Sequence, residues 1–187
     1  IIEKVVAHNE QSIVSQISNR NPFGLPTSAR GKADKTLKHL TLYTSQGVSF
    51  ISPSAVTINN HLVSKYKVMI SRTTSEHAGE PDKQGMVKVI SKIGVLKPNE
   101  VCSDTYIVSD GFSTEAEAIN FMTYLKTRFA RLLLLQAVTS INITKNKFYF
   151  LPEQDFKQNW NDEKLYKKYG LTNQEVDFIE TRVKAME

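Results

Sequence analysis

The stretch Thr114–Leu134, TEAEAINFMTYLKTRFARLLL, decides the fold that the sequence predicts. Thr114 followed three residues later by Glu117 is the pattern of a capping box, in which the two side chains bond free N–H groups at a helix start. Apolar residues then recur at helical spacing, at Ile119, Met122, Leu125, Phe129, Leu132 and Leu133. We therefore predict one long amphipathic helix whose apolar stripe packs on a sheet.

Short segments with the composition of β-strands precede and follow this helix. Residues 37–44 and 47–51 alternate apolar and polar side chains and predict a hairpin. Further strands are predicted at residues 67–72, 86–96 and 105–108, and residues 140–151 predict a strand or an extended segment. Because strands and helices do not alternate regularly, we predict an α+β fold, with a mixed, mainly antiparallel sheet packed against the long helix.

The two ends of the chain are predicted to be helical. Residues 1–18 carry apolar side chains at helical spacing and end at a turn-forming run. Near the C-terminus a short helix is predicted at Lys164–Tyr169, stopped by Gly170. Thr172 and Glu175 then form a second capping box, which opens a final helix.

The sequence predicts a core over residues 1–150 and, over residues 151–187, a C-terminal strap and helices that pack on this core. Aromatic and polar residues at the start of the strap favour packing against the long helix over DNA contact; they are Pro152, Gln154, Asp155, Phe156 and Trp160. Residues 1–150 contain 18 Lys and Arg against 11 Asp and Glu, whereas residues 151–187 contain 6 against 8. This distribution favours a polyanionic partner for the core alone.

One cysteine and four scattered histidines limit the redox and metal chemistry of the chain. Cys102 has no partner for an internal disulfide and is predicted to be a buried structural thiol. The histidines lack the spacing of zinc motifs. Without a secretory leader or a long apolar run, we expect a cytoplasmic protein with no membrane partner. The opening Ile-Ile-Glu-Lys, which has no initiator methionine, suggests a piece of a longer polypeptide.

Catalytic signatures of DNA-modifying enzymes are missing from the sequence. An adenine methyltransferase needs a glycine-rich turn for its methyl donor and an Asn/Asp-Pro-Pro-Tyr motif for the flipped base, and segment 21–23 reads only Asn-Pro-Phe. A metal-dependent nuclease needs carboxylates and a lysine that converge on a metal. The alternative that this chain is a nuclease depends on Glu80, Asp82 and Lys83. The favoured interpretation of these three residues is a solvated loop.

Three polar loops carry side chains suited to DNA. Loop 19–38 holds five Lys and Arg, beginning with Arg20, against a single Asp, and suits phosphate groups. Loop 71–83 carries hydroxyl, arginine and histidine side chains that can bond base edges, and turn 142–147 is similar. The candidate DNA contacts are Arg30, Lys32, Lys35, Ser71, Arg72, Thr74, His77, Lys83, Lys145 and Lys147. Arg72 and His77 suit base edges best; the alternative for Arg72 is a strand-end ion pair with a carboxylate such as Glu76.

Several strings resemble the C-terminal specificity region of type II restriction-modification adenine methyltransferases, including those fused to a nuclease. They are NPFGL (residues 21–25), ISRTTSEHAGEPDKQG (70–85), VLKPNEVCSDTYIV (95–108), FSTEAEAINFMTYLKTRFARLLL (112–134) and FLPEQDFKQNWNDEKLYKKYGLTNQEVDFIETRVKAM (150–186). The last string is the most specific, and together the strings cover most of the chain.

The resemblance implies that this chain reads a DNA sequence for a catalytic domain. In that family the N-terminal domain of the same polypeptide binds S-adenosylmethionine and methylates adenine. We therefore expect double-stranded DNA and that methyltransferase domain as partners, and no enzymatic activity or cofactor in this chain. S-adenosylmethionine, with Mg²⁺ where a nuclease is fused, belongs to the parent protein. A further alternative is an interaction scaffold whose long helix docks the catalytic domain.

Overall fold

Six α-helices and six β-strands form the part of the chain described by a computed structural model, which covers residues 1–33, 39–74, 81–138, 140 and 142–186. The strands are β1 Leu40–Thr44, β2 Gly47–Ile51, β3 Lys67–Ser71, β4 Ile93–Leu96, β5 Glu100–Cys102 and β6 Tyr106–Val108. The α-helices are α1 Ile2–Ala7, α2 Asn60–Val63, α3 Glu115–Lys126, α4 Arg128–Ala137, α5 Asp162–Lys168 and α6 Asn173–Arg182. Across these ranges, no helix combines the length and apolar character needed to span a bilayer.

The strands form two three-stranded sheets. In the first sheet, β1 lies between its antiparallel hairpin partner β2 and the parallel strand β5. In the second sheet, β3 lies between β4 and β6, and both run antiparallel to it. The predicted α+β class with mainly antiparallel pairing is therefore confirmed, and so is the β1–β2 hairpin. Strand β5 was missed by the sequence prediction.

Strand β3 lies in the middle layer of the fold, and all five of its residues are buried. Val68 and Ile70 join an apolar cluster with the buried side chains of α3 and α4. Met69 joins a second cluster, with Leu42 of β1 and Val101 of β5. Because successive side chains of a strand point to opposite faces, the helices cover one face of the second sheet and the first sheet covers the other.

The long helix predicted from Thr114 is two helices. Its capping box is confirmed, since the Thr114 hydroxyl accepts a hydrogen bond from the N–H of Glu117 and the Glu117 carboxylate accepts one from the N–H of Thr114. The backbone then leaves the helical conformation at Thr127, where φ is −59° and ψ is 149°. The Thr127 hydroxyl accepts a hydrogen bond from the N–H of Ala130 and caps α4.

The C-terminal tail stabilises the break between α3 and α4 by capping the start of α4. The Asp162 carboxylate accepts hydrogen bonds from the N–H groups of Arg128 and Phe129, at 3.0 and 2.8 Å. These N–H groups at the start of α4 would otherwise lack partners. The predicted single apolar stripe is also wrong, because Ile119 is 42% exposed on α3.

Two further predicted elements differ from the structure. Residues 1–18 form α1 and then a 3-10 helix, Ile13–Gln16, because the chain turns at Asn9 with a positive φ of 51°, which Asn tolerates better than most residues. Residues 140–151 contain the 3-10 helix Lys145–Phe148 in place of a strand.

The strand predicted at residues 86–96 forms only over its last four residues, as β4. The backbone of Val87 instead bonds the C-terminal segment, with its N–H donating to the Arg182 carbonyl at 2.8 Å and its carbonyl accepting from the N–H of Lys184 at 3.1 Å. Val89 and Ile90 are buried in the helical cluster. Val87 thus forms a single parallel bridge with Val183, and the apolar composition of residues 86–92 otherwise reflects burial.

The C-terminal tail packs on α3 and α4. The ring centres of Phe156 and Phe121 lie 4.9 Å apart, and Phe156 is buried, as predicted for the strap. Helices α5 and α6 confirm the two predicted C-terminal helices, and the Thr172 capping box opens α6. The same Glu175 carboxylate that completes this box pairs with Lys4 at 2.6 Å, which ties α1 to α6.

Between the two sheets, β3 buries a charged residue, Lys67. Its Nζ donates to the carbonyl oxygens of Lys65 and Lys97, at 3.0 and 3.2 Å. Burial lowers the pKa of Lys67 to about 8. The neighbouring thiol of Cys102 is fully buried, as predicted, and burial raises its pKa.

The free energy of unfolding should rise between about pH 8 and 10.5 because of Lys67. In this range the folded protein has released the Lys67 proton while the unfolded chain still binds it, so folding becomes more favourable as pH rises. Below about pH 8 both states are protonated and the full cost of burying the ammonium applies. Urea unfolding should show the wild type gaining about 3 kcal/mol over Lys67→Met across this range. A difference that does not change with pH would contradict this assignment.

Candidate nucleic-acid interface

A buried carboxylate gathers two arginines at one end of the second sheet. Asp104 lies between β5 and β6, and Arg72 directly follows β3. Arg72 Nη1 lies 3.0 Å from Asp104 Oδ2 and donates to the Asp104 carbonyl oxygen at 2.6 Å. Arg20 Nη2 donates to the same Oδ2 at 2.9 Å. We call these three residues the Asp104 cluster.

Exposure differs sharply within the Asp104 cluster. The side chains of Asp104 and Arg72 are 11% and 13% exposed, whereas that of Arg20 is 65% exposed. Burial alone would raise the pKa of Asp104, but hydrogen bonds from Arg20 and from the N–H of Asn21, together with the charge of Arg72, bring this pKa below its usual value. The carboxylate is therefore ionised at neutral pH, and two cations against one anion leave the cluster positive.

The second and third predicted loops meet beside the Asp104 cluster. Thr73 and Asn142 form an antiparallel bridge, and the N–H of Ile143 donates to the Arg72 carbonyl at 2.6 Å. The Ser91 hydroxyl donates to the Thr73 carbonyl at 2.7 Å. Thr73 and Asn142 are both exposed, so their polar side chains lie at the surface on a backbone that is bonded from two sides.

The residue before β4 adds a cation at the same end of the sheet. Lys92 is exposed, its carbonyl accepts a hydrogen bond from the N–H of Ser71, and its Nζ lies 5.7 Å from the ring centre of Tyr106. Because β3 is antiparallel to β4 and β6, the end of β3 and the starts of its neighbours lie together. We define the basic face as Arg20, Arg72, Thr73, Lys92 and Asn142.

Five predicted contact residues belong to the basic face or lie close to one of its members in the sequence. Arg72 belongs to it, but its guanidinium is already bound to Asp104. Ser71 is buried, and its hydroxyl donates to the Thr73 carbonyl at 3.2 Å, so a base contact by Ser71 would require this turn to open. Thr74, Lys145 and Lys147 are half-buried.

The other predicted contact residues lie elsewhere. Arg30 and Lys32 are exposed, and Lys32 pairs through its backbone with the outer edge of β2. Lys83 is exposed in a turn that packs on the C-terminal segment. Lys35 and His77 lie outside the described residues.

The residues proposed for a nuclease are arranged as a structural turn. Asp82 Oδ1 accepts hydrogen bonds from the N–H groups of Gln84 and Met86, and Oδ2 lies 3.2 Å from Nζ of Lys184. Glu80 lies outside the described residues. Within the described ranges, no group of three His, Cys, Asp or Glu side chains is placed to hold a metal ion.

Sequence reasoning missed Asp104 as the centre of this site. Its partners Arg20 and Arg72 are 84 and 32 positions away along the chain, so local spacing could not reveal the pairing. The strand-end ion pair considered for Arg72 is present, with Asp104 as the carboxylate. An available signal was a lone acidic residue in VCSDTYIV, between two runs of buried apolar residues.

Comparison with known proteins gives no further guide to this site. No protein-family model matches the chain, and no curated protein matches it.

Replacing Arg72 with alanine should lower the free energy of unfolding by about 1 to 3 kcal/mol, because it removes an ion pair with the buried Asp104 carboxylate and a charged hydrogen bond to the Asp104 carbonyl. Arg30→Ala is the matched control, since Arg30 is exposed and donates only to nearby carbonyl oxygens; it should change stability by no more than about 0.5 kcal/mol. Urea unfolding followed by circular dichroism measures both. Equal stabilities for the two variants would show that the Arg72–Asp104 pair does not hold this end of the sheet.

Proposed function

We propose that this chain is the DNA-recognition module of a restriction-modification adenine methyltransferase, which presents the target to a catalytic domain outside this sequence. The resemblance of five strings to the specificity region of such enzymes supports this proposal. The arrangement of the basic face supports it independently, because that arrangement favours a polyanion.

The observation that carries the proposal is the convergence of three polar loops at one end of one sheet. Arg20 comes from the first predicted loop, Arg72 and Thr73 from the second, and Asn142 from the third. These segments are far apart in sequence, and each was selected for its own side chains. Recognition groups are commonly held on loops by a rigid scaffold, and here strand β3 provides that scaffold.

The basic face offers two kinds of DNA contact. Arg20 and Lys92 are exposed cations suited to phosphate oxygens, which position a protein on the duplex. Asn142 and Thr73 carry short polar side chains suited to base edges, and asparagine can make two hydrogen bonds with adenine in the major groove. Arg30 and Lys32, on the edge of the first sheet, would extend the phosphate contacts away from this face.

The proposal also assigns partners and cofactors. Double-stranded DNA and the methyltransferase domain of the same polypeptide would be the partners. S-adenosylmethionine would bind that domain, and Mg²⁺ would be required where the parent also cuts DNA. A restriction-modification enzyme acts on DNA in the cytoplasm, so we propose this location.

The isolated chain should bind duplex DNA weakly, with an affinity that falls steeply as salt increases, because phosphate contacts release counterions. The combined replacement of Arg30, Lys32 and Lys35 by alanine should weaken binding to all sequences about equally and flatten the dependence of affinity on salt. Fluorescence anisotropy with duplexes of different sequence measures both effects. Lys167→Ala, which removes an exposed cation from α5, is the control and should bind like the wild type. Failure of the unmodified chain to bind DNA at low salt would refute the proposed function.

The isolated chain should transfer no methyl group to DNA and should not cleave it, since the sequence has neither a donor-binding glycine turn nor a motif for the flipped adenine. Incubation with radiolabelled S-adenosylmethionine and DNA tests transfer, and incubation of plasmid with Mg²⁺ tests cleavage. Methyl incorporation by protein purified from a host without methylases, or cleavage that Asp82→Asn abolishes, would show that this chain contains an active site.

A further inference from the structure

The two arginines of the Asp104 cluster differ in what their guanidinium groups can still bind. Arg72 is 13% exposed and its Nη1 contacts both the carboxylate and the carbonyl of Asp104. Arg20 is 65% exposed and donates to the carboxylate through Nη2 alone. Among the described residues, no hydrogen-bond partner engages Nε or Nη1 of Arg20. Arg20 therefore presents unused donors to solvent while one corner of its guanidinium is fixed.

The carboxylate that fixes Arg20 is itself immobile. Asp104 Oδ1 accepts a hydrogen bond from the N–H of Asn21 at 2.7 Å, and the N–H of Asp104 donates to the Leu25 carbonyl at 2.8 Å. Arg72 compensates the buried negative charge through its ion pair with Oδ2 of Asp104. A guanidinium held at one corner loses less conformational freedom when its free edge binds a second anion.

We infer that Arg20 contacts a backbone phosphate of bound DNA and that Asp104 is its positioning residue. This inference rests on the proposed function and deepens it by naming Asp104 as the residue that positions one of its phosphate contacts. Arg72 supports this contact indirectly. Its positive charge stabilises the buried Asp104 carboxylate, which at the same time accepts a hydrogen bond from Arg20. The phosphate oxygens accept hydrogen bonds from the free edge of the Arg20 guanidinium, as arginine commonly provides for such groups.

The substitution Asp104→Asn should change DNA affinity in opposite directions for two possible roles of Asp104. If Asp104 only neutralises nearby arginines, removing its charge makes the face more positive and strengthens DNA binding. If Asp104 positions Arg20, the same substitution releases the guanidinium and weakens binding despite the added positive charge. The sign of the change in affinity therefore separates the two roles.

The experiment measures the affinity of the 187-residue chain for a duplex by fluorescence anisotropy over a range of salt concentrations. Arg20→Ala should lower affinity about tenfold at low salt, since a charged hydrogen bond is lost, and should reduce the slope of log affinity against log salt by about one. Asp104→Asn should lower affinity at least about threefold. Arg20→Lys, which keeps the charge but not the planar fork, should lie between wild type and Arg20→Ala.

A double-mutant cycle tests whether Asp104 acts through Arg20. Removal of Arg20 should cost less affinity in the Asp104→Asn background than in the wild type, because the arginine is no longer positioned there. Asp110→Asn is the charge-matched control: it removes an exposed carboxylate near the other end of β6 and should leave affinity unchanged or slightly raised. Circular dichroism at the binding temperature verifies that each variant is folded, and Arg20→Ala, which changes an exposed side chain, tests the contact even if Asp104→Asn unfolds.

Each result has a distinct meaning. Equal affinity and salt slope for Arg20→Ala and wild type, while the chain still binds DNA, would overturn the phosphate contact and leave the proposed function intact. Stronger binding by folded Asp104→Asn, or additive effects in the cycle, would overturn the positioning role. Absence of DNA binding by the unmodified chain would overturn both this inference and the proposed function.

Discussion

The burial of β3 on both faces is the constraint on which the rest of the structure depends. A strand whose five residues are all buried must have a layer on each side, so the helices and the first sheet are both required. Its side chains can reach solvent only beyond the strand ends. At one end Ser71 leads into Arg72 and Thr73, and the antiparallel neighbours bring Lys92 and Asp104 to the same place. The position of the basic face therefore follows from the position of the strand.

The same constraint explains why the charged side chains at the two ends of β3 have different kinds of partner. Lys67, inside the first end, forms no ion pair with any carboxylate in the described part of the chain and donates to two backbone carbonyls; burial lowers its pKa. Arg72, just past the second end, is instead paired with a carboxylate. A permanently charged side chain at a buried strand end needs a counterion. The Asp104 carboxylate is this counterion, and it also accepts a hydrogen bond from Arg20.

Elements controlled by neighbouring residues could be predicted from sequence, and elements controlled by distant ones could not. The capping boxes at Thr114 and Thr172 each lie within four residues, and both were predicted. The break at Thr127 depends in part on Asp162, 34 and 33 positions from the N–H groups that it caps, and it was missed. Residues 86–92 have strand composition, but the backbone of Val87 bonds the C-terminal segment, which is distant in sequence. The polar loops of the basic face could be located from sequence, whereas the carboxylate that joins them could be found only in the tertiary structure.

The side chains of the basic face differ in how well each could discriminate between DNA sequences. Arginine is the side chain best suited to guanine, but Arg72 has its guanidinium bound to Asp104 and has little exposed surface. On the proposed function, base edges would be contacted by Thr73 and Asn142, which have short side chains and are joined by a backbone bridge. Short side chains on a fixed backbone lose little entropy on binding, and their reach is small. Discrimination would then depend on how closely the phosphate contacts bring the duplex to this bridge. Under the proposed function, the placement of Arg20 would contribute to sequence recognition even though a phosphate contact carries no sequence information itself.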